Sequence, residues 1–439
     1  MAEDRTGARM HAWYIVGFLS LLYGLSIVDR LALALVADPV MKSFALSASQ
    51  MGLLLGAGFA LLYSLTGVPL AHVLDRKRRK NVVACGVALW SISTLLSAFA
   101  RDFPELLLCR SGVAIGEAVL TPAAISLIGD LFEPDERRLP ISIYSSISSL
   151  MATGSYIVAA AALELATRWS AGGDTEPWRM MLLIVGAPGL ALALLFALTV
   201  REPGRRLARM AENGSDAPAL WTYVRSHSRF YIPFYIALGS SSALLYALLS
   251  WAPTFVSRSQ NLGTAEAGYL VGLVGMIAGF AGTFLWPALA DRIERSRPGE
   301  GLSVVMMLCV LLGTTGSLVA AIAEGRTLLV AGLALAMLTL PPVSTVLSSI
   351  LIQGLSPPMM RARLIALNVL AVNLFGYTVG PQFVGAYLDA AADTTIGGAV
   401  AWLAAIAGPL ALALFLLTRH RLRFVRDGCR PMEDASATI

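Results

Sequence analysis

Residues 13–37 read WYIVGFLSLLYGLSIVDRLALALVA, a run in which only Asp29 and Arg30 carry charge. A helix needs about 20 apolar residues to cross a hydrocarbon layer ~30 Å thick, so this stretch is long enough to span a membrane. It is too long for the apolar core of a signal peptide and ends without a small-residue cleavage pattern, which predicts a retained first span. The same ruler moved along the chain predicts eleven more runs. They begin near Gln50, Val82, Pro104, Ile141, Met180, Phe230, Ala265, Leu302, Leu328, Leu364 and Gly398. Gly, Pro and charged residues punctuate them, as at Asp38-Pro39, Arg101-Asp102-Phe103-Pro104 and Pro357-Pro358.

Composition agrees. Hydrophobic residues make up 56% of the 439 residues and charged ones 14%, against about 25% charged in a soluble domain. Length alone would allow two or three soluble domains, and the apolar content excludes them. The expectation is an all-α membrane protein of twelve transmembrane helices in two six-helix halves. The predicted layout is a tail over 1–12, a first half over 13–200, a linker over 201–229, a second half over 230–418 and a tail over 419–439. The linker is the one long polar interruption, rich in Gly, Asn, Ser, Asp and Pro. A weak internal repeat supports two halves: Asp75-Arg76-Lys77-Arg78-Arg79-Lys80 follows the second span, and Asp291-Arg292-Ile293-Glu294-Arg295 follows the eighth. Duplicated six-span units are the architecture of a rocking transporter.

Charge sets the orientation, because Lys and Arg are retained on the cytoplasmic side. With both termini inside, the cytoplasmic segments hold 25 of the 33 Lys and Arg and the outer segments 6. The net charge of +5 is then the positive-inside bias rather than a nucleic-acid surface. The predicted location is the plasma (inner) membrane, with both termini cytoplasmic and the chain a monomer among membrane lipids. The formal sequon Asn213-Gly214-Ser215 falls in the cytoplasmic linker and carries no glycan. Cys85, Cys109, Cys309 and Cys429 form no CxxC pair, and His11, His72, His227 and His420 sit at segment edges or in loops. No metal site, cofactor or disulfide framework is expected. No nucleophile with a base stands at mid-span depth either, so an enzyme is not expected.

Almost every ionisable residue lies near the end of a span. The exceptions are Asp29 and Arg30 in the first span and Arg110 and Glu117 in the fourth. A charge at mid-bilayer costs at least ~2.5–3.5 kcal/mol on insertion scales, so these four need partners or a watery cavity. At ~1.5 Å per residue, Asp29 lies roughly 24 Å from the start of its span, and Arg110 and Glu117 lie roughly 9 and 20 Å into theirs. The two spans run in opposite directions, so acids and bases overlap in depth. Seven residues are nearly two turns, which puts Arg110 and Glu117 on one face. Intramembrane ionisable residues mark ion or substrate pathways; the bland reading is a buried double ion pair that locks two helices, and the two are compatible. With no histidine inside a span, proton coupling falls to Asp29 and Glu117, since a carboxyl's pKa rises on desolvation and falls beside an Arg.

The last six spans carry no interior charge and offer Ser240, Ser241, Ser242, Tyr246, Asn368, Asn373, Tyr377 and Gln382. One charged wall and one apolar to mildly polar wall suit an amphiphile, with Arg30 and Arg110 as headgroup contacts. Gly52-xxx-Gly56, Gly268-xxx-Gly272, Gly275-xxx-Gly279 and Gly376-xxx-Gly380 predict closely packed helices.

From about residue 12 to 420 the chain resembles the major facilitator superfamily. The loop after the second span is similar to that superfamily's Gly-x-x-x-Asp-Arg-x-Gly-Arg-Arg: Asp75, Arg76, Arg79 and Lys80 match, and Ala71 and Arg78 replace the glycines. The match implies a loop that gates conformational change. Within the superfamily the likeness is to the spinster-like branch, through Val28-Asp29-Arg30, the run from Arg110 to Gly116-Glu117-Ala118, Pro122, and Asp130-Leu131-Phe132. Pro177-Trp178-Arg179 leading to Gly186-Ala-Pro188-Gly189, and Asn373 through Gly376 to Gly380-Pro381, add to it. Spinster-like proteins move lysophospholipids and sphingoid lipids, and bacterial members look like proton-linked exporters. The resemblance therefore implies a proton-coupled transporter of an amphipathic lipid-like or drug-like substrate, with protons as the second partner. The organic-anion symporter branch shares the Trp-Arg and Gly-Pro features, so a proton-coupled organic-anion or sugar-acid symporter is the alternative.

Overall fold

The computed structural model describes residues 2–204, 220–357, 360–391 and 393–419. The linker centre with its sequon, Pro358, and the tail from His420 onward with Cys429 lie outside the described residues. Among those described, twelve helices are long and apolar enough to cross a membrane. The first six are α1 (Arg9–Leu35), α2 (Ala48–Arg76), α3 (Arg79–Ser97), α4 (Phe103–Leu131), α5 (Arg138–Ser170) and α6 (Pro177–Thr199). The others are α7 (Ser228–Gln260), α8 (Thr264–Ser296), α9 (Gly301–Ile322), α10 (Arg326–Leu355), α11 (Arg363–Ala390) and α12 (Ile396–Arg419). Each start falls within four residues of the one expected from hydropathy. Two edges differ. Helix begins at Ala2, so the described part of the 1–12 tail continues α1, and Leu220–Ser226 in the expected linker is helical.

Caps and breaks follow from local chemistry. Ser47 accepts the Gln50 N–H while the Gln50 side chain accepts the Ser47 N–H, a capping box that starts α2. Asp102 caps α4, with a proline in the first turn. The α4 ladder opens at Ala118 and Val119 because Pro122 has no N–H to give the Ala118 carbonyl. Gly56 departs from helical geometry at φ −125° and ψ −93° and divides α2, so it acts as a break. Val343–Leu347 forms a π-helical turn directly after Pro341 and Pro342.

The chain forms two compact units. The first gathers the first six spans with Leu249–Met276 and Pro381–Thr394, and the second is built around Ile277–Gly380. The parts of α7, α8 and α11 nearest the α7–α8 and α11–α12 turns therefore group with α1–α6 rather than with their own half.

Glycines make those contacts in the first unit. A Cβ on Gly52 would meet the Pro381 carbonyl at 2.8 Å, and one on Gly272 would meet Ile157 Cγ1 at 2.7 Å. Trp251 Nε1 donates to the same Pro381 carbonyl at 3.1 Å, and Tyr156 donates its hydroxyl to the Leu249 carbonyl. In the second unit Gly376 lies against Tyr246 and Gly380 against the Ala243 carbonyl.

Candidate functional site

Asp29, Arg30, Arg110 and Glu117 come together where α1 faces α3 and α4, inside the first unit. Asp29, Arg110 and Glu117 are each less than 5% exposed. Among the described residues, one ion pair joins two of the four. Arg30 takes Glu117: its Nε donates to Oε2 at 3.0 Å, and Nη2 makes a second contact to the same oxygen. Arg110 Nη2 instead donates to the backbone carbonyl of Arg30 at 3.2 Å, fixing the α1 backbone beside the pair. Asp29 has no arginine hydrogen bond among those described; its Oδ2 lies 2.5 Å from the Thr94 hydroxyl of α3. Asp29 Oδ1 and Glu117 Oε1 are buried and have no hydrogen-bond partner among the described residues.

Two aromatic rings complete the surroundings. The Arg30 guanidinium carbon lies 4.6 Å from the Phe59 ring centre and 5.3 Å from that of Tyr63, within cation–π range. Arg110 lies over the same Phe59 ring at 5.6 Å. Gly116 is what lets α4 approach α3 closely beside Glu117: a Cβ there would meet the Gly86 carbonyl at 2.6 Å and the Trp90 nitrogen at 2.8 Å. Both are backbone atoms, so any side chain at Gly116 would force the helices apart. Of the two guanidiniums, Arg30 keeps the more accessible side chain, 16% exposed.

The loop after α2 separates into two pairs. Asp75 and Arg76 are exposed, while Arg79 is buried and ties three elements together. Arg79 Nη1 pairs with Asp130 and donates to Ser126 Oγ at 2.9 Å; its Nε donates to Glu202 Oε1 at 2.9 Å. Lys80 Nζ donates to the Ala197 and Val200 carbonyls at 3.2 and 3.1 Å, satisfying the C-terminal end of α6.

The polar residues of the second half separate as well. Ser242 and Ser344 share a hydrogen bond at 2.9 Å, Asn368 Nδ2 donates to Ser348 at 3.0 Å, and the Tyr246 and Tyr377 rings lie 3.8 Å apart, all in the second unit. Gln382 belongs to the first unit. Hydropathy and charge reasoning did not single out Thr94, Phe59, Tyr63, Glu202 or Ser344. A hydroxyl in mid-span beside Trp90 and an aromatic pair one turn apart were the available signals.

Comparison with known proteins adds the following. The family model of the Major Facilitator Superfamily matches residues 19–381. An MFS-type efflux pump of Mycolicibacterium smegmatis is 32% identical over 397 residues, covering 89% of this chain and 87% of that protein. The probable L-galactonate transporter of Escherichia coli K12 is 27% identical over 270 residues, 57% of this chain and 56% of that one. Among solved structures, a bacterial homolog of the human lysosomal transporter Spinster, crystallised inward-facing and occupied, superposes with a TM-score of 0.73 at 25% identity. That match covers 95% of this chain and 97% of the other.

Proposed function

The chain belongs to the major facilitator superfamily, and from that premise we propose that it is a proton-coupled secondary transporter moving an amphipathic lipid-like or drug-like substrate by alternating access. It is a multi-pass membrane protein of twelve spans, a transporter and not an enzyme, resembling the spinster branch. The observation that carries the proton-coupled reading is the pair of buried carboxyls with unequal partners. Glu117 is held by Arg30, whereas Asp29 has one hydroxyl and a second oxygen with no partner among the described residues. A buried carboxylate so sparsely satisfied is poised to exchange a proton.

In this mechanism Arg30 is shared. An anionic or zwitterionic headgroup competes with Glu117 for the guanidinium, whose planar fork suits phosphate and carboxylate. Protonation of Glu117 releases Arg30 to the substrate, and return of Arg30 to Glu117 expels it. Arg110 keeps the Arg30 backbone in place, and Phe59 and Tyr63 flank the guanidinium with apolar surface for an acyl chain. Asp75, Arg76, Arg79 and Lys80 act as the gating loop, with the Arg79 cluster supporting its hinge. The halves 13–200 and 230–418, joined by 201–229, exchange access to the two sides. The distribution of Lys and Arg supports both termini in the cytoplasm beneath the plasma (inner) membrane, and in this reading the transporter works as a monomer.

A second reading is a proton-coupled organic-anion or sugar-acid symporter. The likeness to the probable L-galactonate transporter and the two arginines beside each other favour it. Uptake into vesicles bearing the purified protein separates the two. The panel is lysophosphatidylcholine, sphingosine, a cationic dye and glucarate, each with and without a proton gradient. Gradient-dependent movement of lysolipid, sphingoid base or dye supports the amphiphile, and movement of glucarate alone supports the symporter. Movement indifferent to the gradient for every compound contradicts proton coupling.

A further inference from the structure

The hydroxyl of Thr94 stands between two acceptors, 2.5 Å from Asp29 Oδ2 and 3.1 Å from the carbonyl of Trp90 one turn earlier on α3. A threonine hydroxyl has a single hydrogen and cannot donate to both at once. When Asp29 is ionised, its carboxylate is the stronger acceptor and takes that hydrogen. When Asp29 carries a proton on Oδ2, the carboxyl donates to Thr94 Oγ1 and the threonine hydrogen turns to the Trp90 carbonyl. The heavy atoms stay where they are; the direction of the hydrogen bonds reverses. No bond is made or broken besides these, and the proton count changes by the one on Asp29.

The packing holds Thr94 in this position. It is buried, and a Cβ on Gly186 of α6 would stand 3.1 Å from Thr94 Cγ2, so α6 closes directly on its methyl group. A β-branched side chain pressed in this way keeps its rotamer, and the helical rotamer in which Oγ1 reaches the carbonyl four residues back is one of the two that threonine favours. Trp90 itself packs against α4, its backbone nitrogen and Cβ lying beside Gly116, the residue before Glu117. The charged groups acting on Asp29 are Glu117 and Arg110 of α4 and Arg30 of its own helix; from α3 the contact is the uncharged Thr94.

We infer that Thr94 is a positioning residue for proton coupling: its hydroxyl stabilises ionised Asp29 and, on protonation, transfers its hydrogen bond to the Trp90 carbonyl of the α3 backbone. The inference rests on the reading of Asp29 as a coupling acid. Infrared difference spectra of the protein in lipid vesicles test it, followed through the carboxylic C=O band that disappears in Asp29→Asn. With Thr94→Val the ionised form loses its donor, so the midpoint of that band moves to higher pH by about one unit, tenfold in proton affinity. Thr94→Ser keeps a hydroxyl and restores the wild-type midpoint. Thr94→Cys, a weak donor, falls between and serves where the valine variant does not fold. A wild-type midpoint in both the valine and cysteine variants overturns the inference while leaving the role of Asp29 intact, provided Asp29→Asn still abolishes gradient-driven uptake. Wild-type coupling in Asp29→Asn removes Asp29 from the mechanism and overturns the inference with it.

Discussion

Arg30 and Glu117, 87 residues apart in sequence, meet in a buried pair in which Arg30 Nε lies 3.0 Å from Glu117 Oε2. Removing one partner of such a pair costs about 3–5 kcal/mol, because the other charge stays buried, whereas replacing both with apolar side chains is often neutral. The two single substitutions are unequal. Arg30→Met leaves a carboxyl that can take up a proton, and Glu117→Met leaves a guanidinium that cannot lose one. Thermal unfolding in detergent should rank Glu117→Met lowest, Arg30→Met above it, and the double variant near wild type but inactive in uptake. Wild-type stability in Glu117→Met would show that Arg30 does not depend on this acid.

Asp389 makes a second long-range contact, at the end of α11. Its Oδ1 accepts the Ala48 N–H at 2.9 Å and its Oδ2 the Ser49 N–H at 2.8 Å, the first donors of α2. A carboxylate there complements both the orphan donors and the helix dipole, about 1 kcal/mol or roughly fivefold in an equilibrium. Also within the first unit, Arg258 Nε donates to Asp38 Oδ2 at 2.9 Å. If alternating access parts these contacts, Asp389→Ala should favour the state in which they are open. In a cysteine-free background, Leu54→Cys, fully buried here, should react roughly fivefold faster with an impermeant thiol reagent once Asp389 is Ala. Unchanged labelling would mean that the α2–α11 contact does not hold this side closed.

Glu176 precedes α6 and gives a pH dependence with a definite sign. Partial burial opposes its charge, but hydrogen bonds from Ser43 and Arg179 prevail and hold its carboxyl below the usual glutamate range. Arg179 also donates to the Ala98 and Ala100 carbonyls at 2.9 and 2.7 Å, so the cluster fastens α6 to the end of α3. A depressed pKa adds stability that is present above the unfolded value, about 4.3, and is lost as pH falls through the lower folded value. Glu176→Gln should therefore melt below wild type at neutral pH, with the difference shrinking under acid. A difference that grew as pH fell would reverse the assignment. Glu176 is substantially exposed, so the effect is small.

How much of this was legible beforehand depends on which physical signal each residue gave. The twelve spans were plain because hydrocarbon thickness fixes the length of an apolar run. Asp29, Arg30, Arg110 and Glu117 stood out for the same reason, as charges where none should be. Their pairing did not. Overlapping depth left Asp29 free to pair with either arginine, and helix rotation, invisible in composition, gave Glu117 to Arg30 and Thr94 to Asp29. Thr94 is one of three hydroxyls in the run Ser91-Ile92-Ser93-Thr94, and its place one turn after Trp90 does not by itself name Asp29 as its partner. Arg79 was singled out through its likeness to the gating-loop motif, but its burial, 2% exposed, was not legible, because Asp130 and Glu202 arrive from 51 and 123 residues away.

Proton-driven transport by protein with and without the Asp29 carboxyl tests the central claim most directly. In vesicles loaded with the compound the wild type moves best, concentrative uptake should follow an imposed proton gradient. Asp29→Asn should lose that dependence while keeping downhill exchange of the same compound, which shows that the protein is folded and binds it. An unchanged ratio of protons to substrate in Asp29→Asn would contradict the account.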